Sequence, residues 1–458
     1  MANDGIEMKH EDKFYDRVLG PGWIYKQSET ENRNSLLGEK ISEKLFIPGK
    51  EKLLVQELKS LIDQAKNQIC LASFLISDMG IVDALLKASD RGVDIYLLTA
   101  SEAKLASEPA EDNEFEKKTM EEHKVLLNRL VGKVLVRTAQ HLHTKFIIID
   151  PKGEKPLGFI LTSNLTTEAL IRNPEIGVRI SGNDVKDLFQ QFSTGFWNES
   201  ERELLEAGKL SVVSDNMKGF VPESFASTRI CYTTNKMKTI QENIVKLIKD
   251  SQGEIWVSAF GFQQDNKVME ALVSAAKNGR KLTVLARPRP HVRSRDALLD
   301  IVQHGGKVYG LEWLHAKCII TSVNGKYAAI VMTANIEDRG METGFETGII
   351  LDSDEAENLK MLMESWVQLS QYSLFNKIKV GDVEGRVMLW DGEKLVEKSI
   401  EPVYEKNLGT LQAKKGKNIE TVKPKNFPLP QDSTKLYHVH RYLWKALPAQ
   451  EKAPVQNN

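Results

Sequence analysis

The chain has 458 residues, of which 41% are hydrophobic and 27% are charged, a composition typical of a folded globular protein with two or three domains. Its formal net charge is −1, so no overall excess of positive charge attracts nucleic acid or an anionic membrane, and such attraction would need a local patch. The three widely separated cysteines exclude a disulfide framework, and no stretch reaches membrane-spanning length. We therefore expect a cytoplasmic protein without membrane insertion.

The N-terminal region, residues 1–45, is polar and weakly periodic, which predicts an arm packed on the body of the protein. A first half, residues 46–215, opens with apolar residues at helical spacing between Leu54 and Ala65. The elements that follow are a buried strand, a helix and a second strand, at residues 68–74, 81–88 and 93–98.

A long acidic stretch then runs from Glu102 to Glu122 and contains the sequence Glu-Pro-Ala-Glu-Asp-Asn-Glu-Phe-Glu. We interpret residues 102–122 as a loop that would repel phosphate. It is a candidate gate or a binding segment for a protein partner.

The segment at residues 141–150 sets polar residues against an apolar strand. Residues i and i+2 of a strand share a face, so His143 and Lys145 point the same way. Asp150 lies seven residues from His143, an odd offset that directs it to the other side. We therefore predict a structural role for Asp150.

A second half, residues 228–375, repeats this order of elements. His315-x-Lys317 again precedes an apolar strand, and Ser322 stands at the place of Asp150. In both halves a Thr-x-Asn pair and a glutamate follow, and asparagine and glutamate are eleven residues apart. These residues are Thr162, Asn164 and Glu175 in the first half and Thr333, Asn335 and Glu346 in the second. A single copy of this pattern could arise by chance, but two copies with matching spacing indicate a duplicated site.

The alternation of strands and helices predicts that each half is an α/β layer structure. Lysine, asparagine and threonine side chains suit a phosphate group, and a carboxylate can hold an imidazole in one tautomer. If the halves face each other, one histidine attacks phosphorus and forms a phosphohistidine, while the other protonates the leaving oxygen. Two lysines and two asparagines would offset the charge, so we expect neither a metal nor a cofactor.

The pattern His143-x-Lys145-x₄-Asp150, with its degenerate second copy at His315-x-Lys317, resembles the phospholipase D superfamily and its two HKD motifs. The resemblance covers roughly residues 46–370. It implies two pseudo-symmetric α/β/α sandwich halves, one shared active site and metal-independent phosphodiester cleavage. It also implies that Glu175 and Glu346 orient the histidines. The sequence departs from the family pattern at Ser322 for aspartate, Thr162 and Thr333 for serine, and Leu161 and Met332 for glycine.

A basic tract at residues 286–295 follows a strand of the second half. We predict a proline-broken loop at the carboxyl end of the sheet, where ligands bind in open α/β sheets. Its four arginines are candidates for gripping a nucleic-acid backbone, although pairing with nearby acids is an equally good reading. They are Arg287, Arg289, Arg293 and Arg295.

The C-terminal region, residues 376–458, has no counterpart in the repeat. The sequence around Asp391-Gly392 predicts a hairpin, and hence a small β-rich accessory module. A second basic tract lies at residues 413–417, with further lysines at Lys423 and Lys425. The region is a second candidate surface for a protein partner, and we expect disorder in the last ten residues.

Three functions are compatible with the sequence. The first hypothesis is a nuclease or related phosphodiesterase acting on DNA or RNA, because of the two basic tracts and the absence of a lipid-contacting helix. The second is a phospholipase D or phosphatidyltransferase acting on lipid. The third is a catalytically silent scaffold in a nucleic-acid-processing complex.

Overall fold

The computed structural model describes residues 18–26, 35–101, 103, 113–213, 228–288, 292–383, 385–391, 394–403, 411–415, 418–422 and 435–439. The chain divides into two compact units. The larger unit contains both halves of the repeat and ends at Gln371. The smaller unit combines residues 18–26 with the described residues from Tyr372 onward.

Each half of the larger unit contains a mixed sheet, and seven strands follow the same order in both halves, while the first half adds Arg202–Glu206 and Lys209–Val212 at one edge. In the first half the neighbouring strands are Lys209–Val212, Arg202–Glu206, Leu135–Ala139, Asp94–Ala100, Gln68–Ser73, Phe146–Ile149, Leu157–Leu161, Gly177–Ser181 and Leu45–Phe46. In the second half they are Lys307–Gly310, Lys281–Ala286, Glu254–Ala259, Cys318–Val323, Lys326–Met332, Glu346–Leu351 and Ile230–Thr233. Parallel pairing gives way to antiparallel pairing at the same place in both sheets.

Helices cover both faces of the sheets. They are Leu53–Gln64, Met79–Asp90, Asn113–Leu130, Thr167–Ile171, Asn183–Thr194, Thr239–Asp250, Lys267–Lys277, Val292–Gln303 and Ser353–Leu369, with π-helical turns at Gly195–Glu199 and Arg339–Thr343. Gly92 (φ 88°) and Gly279 (φ 75°) end equivalent helices in the left-handed conformation, as the sequence predicts. None of the helices in the described part of the chain is both long and apolar enough to cross a lipid bilayer.

Successive side chains of each strand point to opposite faces of the sheet, so the sheet of the first half lies between two hydrophobic cores. Ile69 and Leu71 pack with the outer helices of the first half, in a core that includes Leu58. Cys70 faces the opposite way and joins a second core, to which both halves contribute and which includes Trp366. The predicted fold of two pseudo-symmetric α/β halves is confirmed, and the halves meet through this shared core.

The prediction of a loop over residues 102–122 is wrong for its second part. The structure has a helix at Asn113–Leu130, and residues 104–112 lie outside the described residues. His123, Leu126 and Leu130 recur at helical spacing and are buried against the body. This apolar stripe, which the acidic composition obscures, is what makes the segment helical.

The smaller unit is β-rich, as predicted. Its sheet has the strand order Tyr372–Lys379, Val18–Tyr25, Arg386–Asp391, Lys394–Val403 and Lys435–Val439, and a separate hairpin pairs Leu411–Lys415 with Asn418–Val422. Asp391 pairs with Lys394, which closes the predicted Asp-Gly hairpin.

The predicted N-terminal arm is corrected in one respect, because residues 18–25 are a strand of the smaller unit's sheet. The C-terminal part of that unit begins at Tyr372, four residues before the predicted boundary at residue 376. Lys423, Lys425 and the last ten residues lie outside the described residues.

Candidate active site

The two predicted histidines are held by hydrogen bonds that cross between the halves. His143 Nδ1 lies 2.8 Å from Glu346 Oε1, and His315 Nδ1 lies 2.7 Å from Glu175 Oε1. A carboxylate can only accept a hydrogen bond, so Nδ1 carries the proton in each neutral imidazole. Each Nε2 therefore keeps a lone pair that can attack a phosphorus atom.

Backbone hydrogen bonds between the halves explain why each histidine pairs with the glutamate of the other half. The carbonyl of Phe345 accepts hydrogen bonds from the N–H groups of His143 and of the residue after it, at 3.1 and 2.9 Å. The carbonyl of Pro174 accepts the equivalent bonds from His315 and its successor, also at 3.1 and 2.9 Å. Since each of these carbonyls belongs to the residue before a glutamate, the same contact delivers the carboxylate of one half to the histidine of the other. Neither site is complete within its own half.

Each glutamate is buried and is held by a threonine of its own half. Thr162 donates its hydroxyl hydrogen to Glu175 Oε2 at 2.6 Å, and Thr333 donates to Glu346 Oε2 at 2.5 Å. Each hydroxyl oxygen accepts the backbone N–H of the residue after the glutamate, at 2.8 and 3.0 Å. We predicted that these threonines support phosphate. The structure contradicts this, because both hydroxyls are fully buried and already bonded to protein.

The two carboxylates are charged in this environment. Burial raises the pKa of Glu175, but His315, Lys317 and the Thr162 hydroxyl outweigh this effect, so the pKa is lowered overall. Glu346 is in the same position: burial raises its pKa, and His143 is the first of the groups that bring it below the usual value.

Both motif lysines are fully buried and lie beside their histidines. Lys145 donates from Nζ to the carbonyl oxygen of His143, and Lys317 donates to that of His315 at 2.6 Å. Burial lowers the pKa of Lys317 to about 7; Glu175 opposes this shift and the charge of Lys145 adds to it. The two ammonium groups therefore act on each other within one pocket and can neutralise the same phosphate.

Both imidazoles are neutral at neutral pH. Burial lowers the pKa of His315 to about 3, with Glu175 opposing the shift and the lysines of both halves adding to it. Burial also lowers the pKa of His143, again with opposition from its glutamate and with contributions from both lysines. A bound phosphodiester anion would raise these pKa values, since an opposite charge nearby favours the protonated ring.

Two phenylalanines that we did not predict border the site. Phe74 and Phe260 each follow the central strand of their half, and their ring centroids lie 5.6 and 4.8 Å from those of His143 and His315. The repeat already contained this signal, because Ala-Ser-Phe in one half matches Ser-Ala-Phe in the other.

The two predicted asparagines lie on the loops after the central antiparallel strands. Asn335 Oδ1 accepts the backbone N–H of Gly261 at 3.2 Å, which ties its loop to the residue after Phe260. Asn164 Oδ1 is buried and has no hydrogen-bond partner within the described residues. The amide NH₂ of an asparagine can donate to a phosphoryl oxygen.

Asp150 is directed away from the histidine and binds backbone. Its carboxylate accepts the N–H groups of Lys66, Asn67 and Gln68 at 2.9, 2.8 and 2.9 Å. These bonds join the strand end to the connection between the first helix and the central strand. In the second half the carbonyl of Ser322 accepts the N–H of Gln252 at 3.0 Å, so that connection is held without a carboxylate.

The predicted proline-broken arginine loop is wrong for its second part. A helix begins at Val292, so Arg293 and Arg295 are helical, and Arg295 Nε donates to Asp296 at 2.7 Å. Arg289 lies outside the described residues. Arg287 lies over aromatic rings beside the site.

The structure has two α/β halves that are joined by crossed histidine–glutamate pairs. This arrangement defines the class of the protein as a duplicated one with paired HKD-type motifs. A family model described as "Cardiolipin synthase, PLD-like domain" matches residues 58–198 and 244–366. The chain belongs to this phospholipase D-like family, and both His-x-Lys motifs lie within the matched residues.

The chain is also similar to individual proteins. It is 27% identical over 224 residues to a cardiolipin synthase of Halalkalibacterium halodurans, a match that covers 46% of this chain and 42% of that protein. It is likewise 27% identical over 225 residues to a cardiolipin synthase of Geobacillus kaustophilus, with the same coverage. The chain thus spans less than half of these curated relatives. A phosphatidylserine synthase structure from Haemophilus influenzae shares the fold, with a TM-score of 0.50, 11% identity, and 80% of this chain and 91% of that chain covered.

These similarities overturn the hypothesis that the protein is a nuclease with a nucleic-acid partner. The matching family model and the curated relatives carry the name of a lipid-synthesising enzyme, in agreement with our second hypothesis. The arginine tract favours nucleic acid only as one continuous loop, whereas Arg293 and Arg295 belong to a helix that begins at Val292. The scaffold hypothesis loses the same support, because it assumed a nucleic-acid-processing complex.

Proposed function

We propose that this protein is a phosphatidyltransferase that moves a phosphatidyl group between phospholipid head groups through a phosphohistidine. The observation that carries the proposal is the crossed pairing of two neutral histidines with two buried glutamates. The names of the relatives supply the lipid class: cardiolipin consists of two phosphatidyl groups on one glycerol, so its synthesis requires phosphatidyl transfer to an alcohol.

The proposed reaction has two displacements at one phosphorus. In the first, Nε2 of one imidazole forms a bond to phosphorus, the bond to the leaving head-group oxygen breaks, and that oxygen takes a proton from the other imidazole. The negative charge of the bound substrate raises the pKa of this second ring, which allows it to be protonated beforehand. In the second displacement, that ring removes the proton of the acceptor hydroxyl, whose oxygen attacks phosphorus as the phosphorus–nitrogen bond breaks.

The remaining groups stabilise the charge and orient the rings. Lys145 and Lys317 lie at the two histidines and are placed to neutralise the phosphoryl oxygens. Glu175 and Glu346 keep the Nδ1 protons in place and stabilise each imidazolium as it forms. Asn164 and Asn335 are the proposed amide donors to the phosphate.

The test is a transfer assay with the full chain and detergent micelles that contain labelled phosphatidylglycerol. We expect cardiolipin and free glycerol to appear in equal amounts, and rapid denaturation in detergent at neutral pH to trap a phosphatidyl group on histidine, because the phosphorus–nitrogen bond is labile in acid. Release of phosphatidic acid would indicate water as the acceptor and a phospholipase D activity. Absence of turnover with every phospholipid supplied would contradict the proposal, and the His143→Ala/His315→Ala double variant provides the blank.

A further inference from the structure

Trp313 is an exposed aromatic residue in a strained conformation, two residues before His315. Its φ is 61°, in the left-handed region, and its side chain is 37% exposed. A bulky residue rarely adopts this conformation, which costs on the order of 1–3 kcal/mol and concentrates at functional sites. A binding role would account for both the strain and the exposure.

Two arginines from different halves lie over this indole ring. Arg172 Cζ is 3.8 Å from the ring centroid, and Arg287 Cζ is 4.7 Å from it. Arg172 comes from the first half, three residues before Glu175, whereas Arg287 directly follows a strand of the second half. We call Arg172, Arg287 and Trp313 the arginine–tryptophan cluster.

The cluster adjoins the candidate active site through one ring. Arg287 Cζ lies 5.6 Å from the centroid of Phe260, and the Phe260 ring lies 4.8 Å from that of His315. The cluster is therefore separated from one reacting imidazole by a single aromatic side chain. Lys145 and Lys317 already serve the scissile phosphate, so these guanidinium groups are additional positive charge.

The two guanidinium charges disfavour each other. Burial lowers the pKa of Arg172; the carboxylate of Glu168 opposes this effect, and the positive charge of Arg287 adds to it. An anion bound between the arginines would offset this repulsion, and planar guanidinium groups bind phosphate oxygens in pairs.

The cluster occurs on one side of the repeat alone. The matching positions carry Ser101, His141 and Thr343, and none of these residues is an arginine or a lysine. At those positions the two halves are in contact without an arginine–tryptophan cluster. The cluster is therefore not required to hold the halves together. An asymmetric feature beside a symmetric site is suited to telling two substrates apart.

We propose that the arginine–tryptophan cluster is the subsite that binds the phosphate of the acceptor phospholipid, so that Arg172, Arg287 and Trp313 determine the acceptor specificity of the transferase. This inference rests on the proposed function and names the residues that select its acceptor. The cluster would hold the acceptor's own phosphate while its free hydroxyl reaches the phosphohistidine across the glycerol bridge.

A binding experiment tests the subsite without turnover. Glycerol bisphosphate and glycerol monophosphate are titrated calorimetrically into the full chain. We expect the bisphosphate to bind at least about tenfold more tightly to the wild type, since a charge-assisted contact is worth about that factor or more. This advantage should vanish in Arg172→Gln/Arg287→Gln. It should remain in Arg91→Gln/Arg129→Gln, which removes the same charge at surface ion pairs elsewhere. An advantage that persists in the cluster variant, or that is absent from the wild type, overturns the inference.

A transfer experiment then separates this inference from the proposed function. The cluster variant is assayed with phosphatidylglycerol as donor and with either phosphatidylglycerol or free glycerol as acceptor. We expect the loss of kcat/KM to be at least about tenfold larger for the anionic acceptor, mainly through KM. Equal losses on both acceptors overturn the inference while leaving the transferase intact. If the double variant does not fold, Arg287→Gln alone and the charge-preserving Arg172→Lys/Arg287→Lys variant provide the comparison.

Discussion

The two halves of the larger unit share the same histidine–glutamate–threonine hydrogen bonds, and they differ at the positions that surround these residues. Both halves supply a histidine, a lysine and a glutamate held by a threonine, with hydrogen bonds that match to about a tenth of an ångström. The strand-end residue differs, since Ser322 stands at the position of Asp150, and the arginine–tryptophan cluster has no counterpart in the first half of the repeat. The comparison indicates that duplication preserved the groups that we propose to contact the scissile phosphate, while surrounding positions diverged.

The largest effect should come from removing either histidine. His143→Ala and His315→Ala should each lower kcat for phosphatidyl transfer by about 10⁴-fold or more, because one ring attacks and the other moves the proton. The double variant should be scarcely worse than either single variant, since the two act as a unit. Initial rates check this, with thermal melting as the folding control. If either single variant kept substantial activity, the two histidines would not be equivalent.

Removing a glutamate charge should cost less. Glu175→Gln and Glu346→Gln keep the shape of the side chain and lose the carboxylate that stabilises an imidazolium, so we expect about a 10²–10⁴-fold lower kcat. Thr162→Val, which removes the hydroxyl that fixes one carboxylate, should fall well short of that loss. If Thr162→Val were as inactive as Glu175→Gln, the result would support the original prediction that this threonine contacts the phosphate.

The depressed pKa of His315 should appear in the pH dependence of stability. The unfolded chain takes up a proton on this histidine below about pH 6.5, whereas the folded ring resists it until its pKa of about 3. The unfolding free energy should therefore fall as the pH drops through this window, by up to about 1.4 kcal/mol per pH unit. His315→Gln removes this contribution and should unfold with a weaker pH dependence. Urea titrations between pH 4 and 7 measure it, with His304→Gln as the control outside the site; parallel curves for wild type and His315→Gln would contradict the assignment.

The smallest effect on activity should come from Asp150. Asp150→Ser makes the first half resemble the second at this position and removes an acceptor of three backbone N–H groups. We expect a loss of about 1–3 kcal/mol in unfolding free energy and little change in kcat. The same measurement on Ser322→Ala should give almost no change. A large fall in kcat without loss of stability would give Asp150 a chemical role.

The fold could be predicted from the sequence, and the candidate site residues could be named from it, because both depend on local patterns. Alternating strands and helices are visible in a short window, and duplication let each His-x-Lys motif support the other. We predicted the structural role of Asp150 from the two-residue period of an unbroken strand, whereas the strand spans Phe146–Ile149 and Asp150 follows it in the left-handed region, at φ 44°.

The remaining features depend on contacts between segments far apart in the chain. Which glutamate reaches which histidine is decided by the carbonyls of Phe345 and Pro174, which meet the opposite half. The gathering of Arg172 and Arg287 on Trp313 likewise requires both halves to be in place. The local run of arginines misled the substrate assignment. It suggested a nucleic-acid-binding loop, whereas a helix that begins at Val292 contains two of the four arginines.

The crossed pairing is the central claim, and ring-nitrogen chemical shifts of the site histidines measure it directly. In ¹⁵N-histidine-labelled protein, Glu175→Gln should change the tautomer and titration of His315 and leave His143 nearly unaffected, and Glu346→Gln should do the reverse. If each glutamate variant instead perturbed the histidine of its own half, the two halves would hold separate sites and the account would be wrong.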